Sequence, residues 1–475
     1  MVAGRSCAQL QMHLSISALT SLGLLVGAAS QCLPAPSITA ASLLYKTSDA
    51  YASWTVDPSR NRLFFNVNFS DPRLVYLASE ISGGVIRFGG SGGDFMTYAK
   101  ESCGPLGKNE ECLNMTTFDS VLALSAAASS TLVMGLNIWP TGGTGPSPPA
   151  GPWNSTNARI LLTYIRDRAA PAMPPAIAFE IGNECDSNGF NAEQQAVVFR
   201  ALADVLEEVF PVPGPVPRPA LIGPDADGAN GPPFYNSSLA HLSAFLGAFV
   251  SNASALGTPV SAVTFHEYIE VDSTTVLQPT YLDATGVNAA SVVAAVRDVN
   301  ATVPVWLGES GPHTGDSPAG SMVADCHNNG LCGRFGSVLW YADALGSTAA
   351  AGVSLFARQD LVGGSYALIN TSVPGGGPLY GDFNPSPDYY WLWVWQRVVA
   401  AGMLRVSPPA GAPATLRMYA FCARNGTAAG PDAAAVLVLV NLASTPVCMA
   451  VPSFVPPSAA LTQCAWGGAP RASRG

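Results

Sequence analysis

From about residue 50 to 400 the chain returns, roughly every 40 residues, to a short continuous apolar run rich in β-branched and aromatic residues. The runs are "ASWTVD" ending at Asp57, "GGVIRFGG" ending at Gly90, "TLVMGLNIW" ending at Trp139, and "AIAFEIGNE" ending at Glu184. They continue with "PALIGPD" ending at Asp225, "SAVTFHEY" ending at Tyr268, "VPVWLGES" ending at Ser310, and "GVSLFARQ" ending at Gln359. None alternates apolar with polar, as strands do when one sheet face meets water; they read as parallel strands covered on both faces. Between them lie segments with apolar residues at helical spacing, such as "NARILLTYIRDRAA", "AEQQAVVFRALADVLEEVF" and "AASVVAAVRDV". "RFGSVLWYADALG" is a further helix, with Gly346 as the expected C-cap.

Strand and helix alternating eight times predict an α/β fold, a closed (β/α)8 TIM barrel over residues 31–400. An open doubly wound sheet is the alternative, but no Gly-rich dinucleotide fingerprint follows the first strand. "GGSGGD" at 89–94 lacks the Lys-Ser/Thr of a phosphate loop and suits a turn at the barrel mouth. After about residue 400, "TLRMYAFCAR", "AAVLVLVNLA" and "VCMAVP" are short strands between turn residues. They predict a small C-terminal β-sandwich-like module over 401–475, which the N-terminal segment could join.

The chain carries a formal charge of −10, with Lys only at 46, 100 and 108 and no basic stripe. A nucleic-acid partner, whose phosphates need cations, is therefore not expected. Residues 1–30 read as a secretory signal peptide: Arg5, the apolar core of "LSISALTSLGLLVGAAS", then Ala28 and Ser30 at cleavage spacing. A retained signal anchor is the alternative; no later segment reads as a membrane helix. Sequons at Asn68, Asn114, Asn154, Asn236, Asn252, Asn300, Asn370 and Asn425, with ten cysteines, fit an oxidising secretory route. Cell wall, vacuole and medium are all open as destinations. Cys103 with Cys112, and Cys326 with Cys332, are expected local staples; Cys422 is expected to pair with Cys448 or Cys464. The five His are scattered and Cys-x-x-Cys is absent, so neither a metal nor another cofactor is expected. Cys185 lacks a paired His and reads as an inert buried thiol.

The C-terminal ends of the eight runs collect a polar set: Asp57, Arg87, Asn137, Asn183 with Glu184, Asp225, His266 with Tyr268, Glu309, and Arg358 with Gln359. In a barrel these ends face the mouth, where side chains serve chemistry more than packing. Glu184 after the fourth strand and Glu309 after the seventh could converge there. Two carboxyls about 5–5.5 Å apart suit glycoside hydrolysis with retention: one protonates the leaving oxygen while the other attacks the anomeric carbon. Asn183 could bind the sugar 2-hydroxyl, and Tyr268 could donate to Glu309. The competing reading makes each carboxylate a helix cap, or a partner of Arg87 or Arg358.

With these residues assembled, the chain resembles the heparanase-like β-glucuronidases of glycoside hydrolase family 79, its plant-type branch above all. "FEIGNE" resembles the acid/base segment of that family and "VWLGES" its nucleophile segment. "VIRFGGSGGDF", "LVMGLN", "TFHEY", "ARQDLVGGSYALIN" and "FNPSPDYY" follow the family order from about Tyr51 to Arg424. The resemblance implies Glu184 as general acid/base and Glu309 as nucleophile. It implies Asp57, Asn183, His266, Tyr268 and Gln359 lining the sugar site, with Gly364 and Tyr366 at the uronic carboxylate. A retaining β-glucuronidase acting on glycans or small glucuronides follows, expected to be a monomer with a carbohydrate substrate. A non-catalytic glycan binder on the same fold and a hydrolase of neutral β-glycosides are the alternatives. Three departures bear on the substrate and processing. Gly92 stands where the animal endo-enzymes carry Lys, and "PDADGANG" and "YIEVDSTT" make an acidic to neutral rim that disfavours a sulfated polyanion. No long linker separates the second and third runs, so proteolytic activation is not implied. The C-terminal module reads as shorter than that of the family.

Overall fold

The computed structural model describes residues 32–58, 67–103, 111–139, 151–168, 173–214, 216–228, 236–268, 277–312, 333–362, 366–370, 383–424 and 435–450. The expected signal peptide, the Cys326–Cys332 staple, Cys464, Asn425 and Gly364 lie outside them.

In chain order the strands are β1 (Ser37–Tyr45), β2 (Ala52–Val56), β3 (Val85–Phe88), β4 (Met96–Ala99), β5 (Glu111–Asn114) and β6 (Thr131–Leu136). They continue as β7 (Ile177–Ile181), β8 (Ala220–Ile222), β9 (Val260–Tyr268), β10 (Val305–Gly311) and β11 (Leu355–Arg358). The rest are β12 (Ile369–Asn370), β13 (Asn384–Pro385), β14 (Val399–Ser407), β15 (Leu416–Ala423) and β16 (Ala435–Asn441). The helices are α1 (Pro72–Glu80), α2 (Met115–Ala127), α3 (Thr156–Asp167), α4 (Ala192–Val209), α5 (Asn236–Ala255), α6 (Pro279–Val299), α7 (Phe335–Ala351) and α8 (Pro387–Val398).

Strands β2, β3, β6, β7, β8, β9, β10 and β11 close a barrel in that order, each pairing in parallel with its neighbours. With the surrounding helices this is a (β/α)8 TIM barrel. The continuous apolar runs follow from it. Outward residues such as Trp54, Ile86, Phe179 and Phe265 pack under the helices, while Val85, Val133, Ala178, Ile222, Ala262, Leu355 and Ala357 fill the lower interior. Helix starts are set locally: Asp71 accepts from Arg73 N at the head of α1, and Asn191 and Gln194 form a capping box on α4.

Helix α7 corrects one expectation. It runs through Gly346 and stops at Gly352, which adopts the left-handed conformation (φ 97°) of a C-cap. Gly346 serves packing instead: the ring of Tyr419 on β15 fills the space a Cβ would need. The Tyr419 hydroxyl donates to Asp343 Oδ1 one turn earlier at 2.6 Å, and Arg417 Nε donates to the same carboxylate at 2.7 Å.

These contacts dock a four-stranded antiparallel sheet, β1-β14-β15-β16, onto the barrel. Its edge strand β1 precedes the barrel in the chain. Cys448 pairs with Cys32, across 416 residues, and not with Cys422 or Cys464. Leu33 explains the choice: its backbone exchanges hydrogen bonds with Cys448 and Ala450, laying the start of the described chain beside its end. Cys422 is a free thiol among the described residues, and Cys103–Cys112 forms as the short spacing predicts. No helix among the described residues is long and apolar enough to cross a membrane.

Candidate active site

The barrel floor is apolar, and the next layer toward the strand C-termini is charged. Arg87 on β3 stands at its centre, 2 % exposed. Its Nε donates to Glu180 Oε1 at 2.7 Å, Nη1 to Glu309 Oε2 at 2.5 Å, and Nη2 to Asn183 Oδ1 at 2.9 Å and to Asp225 Oδ2. One guanidinium thus ties β3 to β7, β8 and β10, a task its rigid fork of donors suits. Burial works against its charge, but the carboxylates of Asp225, Glu180 and Glu309 outweigh that and hold it firmly protonated.

Glu184 is delivered by an abrupt end to β7. Its φ of 51° is the left-handed region, costly for a residue with a side chain, on the order of 1–3 kcal/mol. Two bonds hold the turn: Glu184 N donates to Asp225 O at 2.8 Å, and Asn183 N to Asp94 Oδ1 at 2.7 Å. Glu309 is presented differently. The register of β10 slips between Leu307 and Glu309 against β9, the kind of bulge that re-aims a side chain. Asp57, on the loop after β2, is supported by Gln359 Nε2 at 2.8 Å, whose amide oxygen accepts from Thr55 Oγ1. Gly90 (φ 142°) passes so close to Asp57 that any Cβ would collide with the carboxylate.

His266 and Tyr268, two apart on β9, share the inward face. His266 Nδ1 bonds Glu184 Oε1 at 2.8 Å and Nε2 bonds Asp225 Oδ1 at 2.7 Å. The Tyr268 hydroxyl donates to Glu309 Oε1. The nearest functional atoms of Glu184, His266 and Glu309 all lie within 4.8 Å of one another. Tyr366 packs beside Tyr268, ring centroids 6.5 Å apart, and both rings are buried. The two glutamates, Asn183, His266, Tyr268 and Tyr366 therefore meet in one place, joined from the far side by Asp57 and Gln359.

The charges in this layer are arranged to offset one another. Burial disfavours a charged His266, yet Asp225, Glu309 and the bond to Glu184 outweigh it and keep the ring an imidazolium. Asp225 is likewise opposed by burial but held at about 2 by Arg87 and His266. Glu180 is the converse: burial pushes it to about 8 despite Arg87. Burial also raises Asp94, only partly offset by the Asn183 N–H. Outside Glu184 sit Asp186 and Asp227, linked by Asp227 N donating to Asp186 Oδ1 at 2.8 Å. Burial, then the charges of Glu184 and Asp186, push Asp227 to about 7. Two carboxylates and an imidazole would be enough donors for a metal ion. These do not fit one, because a protonated ring with both nitrogens bonded to carboxylates has no lone pair to give.

One part of the competing reading holds: Arg87 does pair with Glu309. Arg358 pairs with Asp388 and with neither glutamate of the site. Glu184 engages His266 instead of an arginine. Cys185 is buried, and burial drives its thiol well above the ordinary value, as an inert thiol requires. Sequence reading overlooked Glu180, Asp94 and Asp227; Glu180 left one signal, a lone acid inside an otherwise apolar run.

The model for the N-terminal domain of glycosyl hydrolase family 79 matches residues 64–346, more than half of the chain. The chain belongs to that family. Heparanase-like protein 1 of Arabidopsis thaliana is 25% identical over 413 residues, covering 80% of this chain and 65% of that protein. The chain thus spans just under two thirds of that relative. Hyaluronoglucuronidase of Hirudo nipponia is 25% identical over 394 residues, 76% of this chain and 71% of that one. Baicalin-beta-D-glucuronidase of Scutellaria baicalensis is 22% identical over 399 residues, 76% and 67%. Among solved structures, a 4-O-alpha-L-rhamnosyl-beta-D-glucuronidase from Fusarium oxysporum superposes with a TM-score of 0.56 at 14% identity, covering 86% of this chain and 80% of that one. A GH51 arabinofuranosidase from Xanthomonas axonopodis pv. citri gives 0.59 at 14%, covering 87% and 86%. Both share the barrel fold of this chain.

Proposed function

We propose that the protein is a retaining β-glucuronidase that releases β-linked glucuronic acid by double displacement. The observation that carries this is the closeness of the two glutamates, which bring one oxygen each within 4.8 Å of the other. Retaining enzymes hold their carboxyls about 5–5.5 Å apart, whereas inverting ones leave about 6.5–9.5 Å for a water. Glu309, with each oxygen gripped by a donor from Arg87 or Tyr268, attacks the anomeric carbon. Glu184, with Oε1 fixed by His266, gives a proton to the departing oxygen and afterwards takes one from water. Arg87 occupies the amide oxygen of Asn183 and Ser91 Oγ accepts one amide hydrogen at 3.4 Å, which leaves the second hydrogen to donate to the sugar 2-hydroxyl.

Glucuronic acid as the sugar is supported by the buried phenol of Tyr366, a donor suited to an anion without a full positive charge, and by the names of the leech and skullcap relatives. A neutral leaving group is supported by the formal charge of −10 with only three Lys, a balance that disfavours a sulfated polyanion. Two disulfides, with the sequons, support a secreted or cell-wall location. Hydrolysis of a neutral β-glycoside is the second reading, favoured by the acidic Asp57 at the sugar site. A panel of chromogenic aryl glycosides separates the two: turnover of the glucuronide, abolished in Glu309→Gln and in Glu184→Gln, is the expected result. Undiminished turnover in both variants would sink the assignment.

A further inference from the structure

Arg358 closes β11 immediately before Gln359 and is fully buried. Its guanidinium carbon lies 5.2, 5.6 and 5.7 Å from the ring centres of Trp340, Tyr341 and Tyr366. Nη2 makes two hydrogen bonds, to Asp388 Oδ2 at 2.6 Å and to the backbone oxygen of Tyr366 at 3.0 Å. Nε and Nη1 have no hydrogen-bond partner among the described residues, so the aromatic faces are their surroundings. Asp388, in the first turn of α8, also accepts from Ser337 Oγ of α7 at 2.6 Å.

A buried ion pair is an expensive brace, and apolar side chains of similar volume would hold these elements together as well or better. What apolar packing does not supply is direction. Here the one nitrogen that is bonded joins the anion of α8 to a single carbonyl, that of Tyr366, while the cation lies over the Tyr366 ring. The ring at the other end of that residue packs against Tyr268, centroids 6.5 Å apart, whose own hydroxyl donates to Glu309. We infer that Arg358 and Asp388 are positioning residues that aim the Tyr366 hydroxyl at the substrate carboxylate, and so set the preference for a uronic acid over a neutral sugar. This rests on the reading of Tyr366 in the preceding subsection.

The test compares kcat/KM for 4-nitrophenyl β-glucuronide and 4-nitrophenyl β-glucoside in the wild type, Tyr366→Phe, Arg358→Met, Arg358→Lys and Asp388→Asn, with melting curves to verify folding. The wild type should prefer the glucuronide. Because a hydrogen bond to a charged group is at stake, Tyr366→Phe and Arg358→Met should each reduce that preference by about ten- to a hundredfold, mostly through KM. Arg358→Lys, which keeps the cation and one donor, should recover part of it. Should Arg358→Met fail to fold, Arg358→Lys and Asp388→Asn carry the comparison, and each should shift the ratio in the same direction as Tyr366→Phe. Equal losses on both substrates, or an unchanged ratio in folded Arg358 and Asp388 variants when Tyr366→Phe lowers it, would overturn the positioning role. A wild type without preference for the glucuronide would overturn the reading of Tyr366 itself.

Discussion

Replacing Arg87 by Met keeps an unbranched apolar stem and removes the guanidinium that bonds Glu180, Asn183, Asp225 and Glu309 together. Asp225 and Glu309 would remain buried with their bonds from Arg87 gone, and removing one partner of a buried ion pair typically costs about 3–5 kcal/mol. Against a domain stability on the order of 5–15 kcal/mol, that is a large fraction. The loss should also depend on pH. Arg87, with His266, holds Asp225 at about 2, so without Arg87 that carboxyl takes up a proton more readily and acid relieves the penalty. Urea unfolding followed by tryptophan fluorescence at pH 7 and pH 4 measures both effects. The expected result is a deficit of about 3 kcal/mol or more at pH 7 that shrinks at pH 4. A deficit under about 1 kcal/mol, or one equal at both pH values, would refute the view that Arg87 is the electrostatic hub.

Other perturbations have outcomes of similar sharpness. In the wild type, burial holds Glu180 at about 8 and Asp227 at about 7, so the folded state keeps protons that the unfolded chain releases near 4.5 and 3.8. The stability they contribute is complete below those lower values and is lost as pH rises toward 8, while that from Asp225 is lost as pH falls from 3.8 toward 2. The melting temperature should therefore decline from mildly acidic pH toward pH 8, and Glu180→Gln should flatten that decline; a wild type that gains stability toward pH 8 contradicts these assignments. Gly90→Ala pushes a Cβ into Asp57 at a φ of 142°, and should cost about 1–3 kcal/mol in thermal unfolding and at least about tenfold in kcat/KM. Cys32→Ser with Cys448→Ser frees β1 from the end of the described chain, and should cost about 2–5 kcal/mol, read by calorimetry.

The barrel was legible because parallel strands covered on both faces leave continuous apolar runs, and polar residues that end such runs stand out. Glu184, Glu309, His266 and Tyr268 could be named on that ground alone. Their partnerships could not. Arg87 reads only as a possible partner of one carboxylate until ring closure sets β3 facing β7, β8 and β10. The charge of His266 depends on acids bonded to both nitrogens, and one of these, Asp225, lies 41 residues away in the chain. Gly346 looked like a helix stop because its real purpose, admitting the ring of Tyr419, involves a strand of another sheet. Cys32 went unpaired in the sequence because nothing local links positions 416 residues apart. Long-range contacts carry no periodicity, and that is where the sequence fell silent.

Proton NMR of an aryl β-glucuronide during the first turnovers, before mutarotation, tests the central claim most directly. Attack by Glu309 on one face, followed by water from the opposite face that the leaving group vacated, predicts that the first glucuronic acid to appear is the β-anomer. Initial formation of the α-anomer would contradict the account, since it would require a water where the structure brings the two glutamates together.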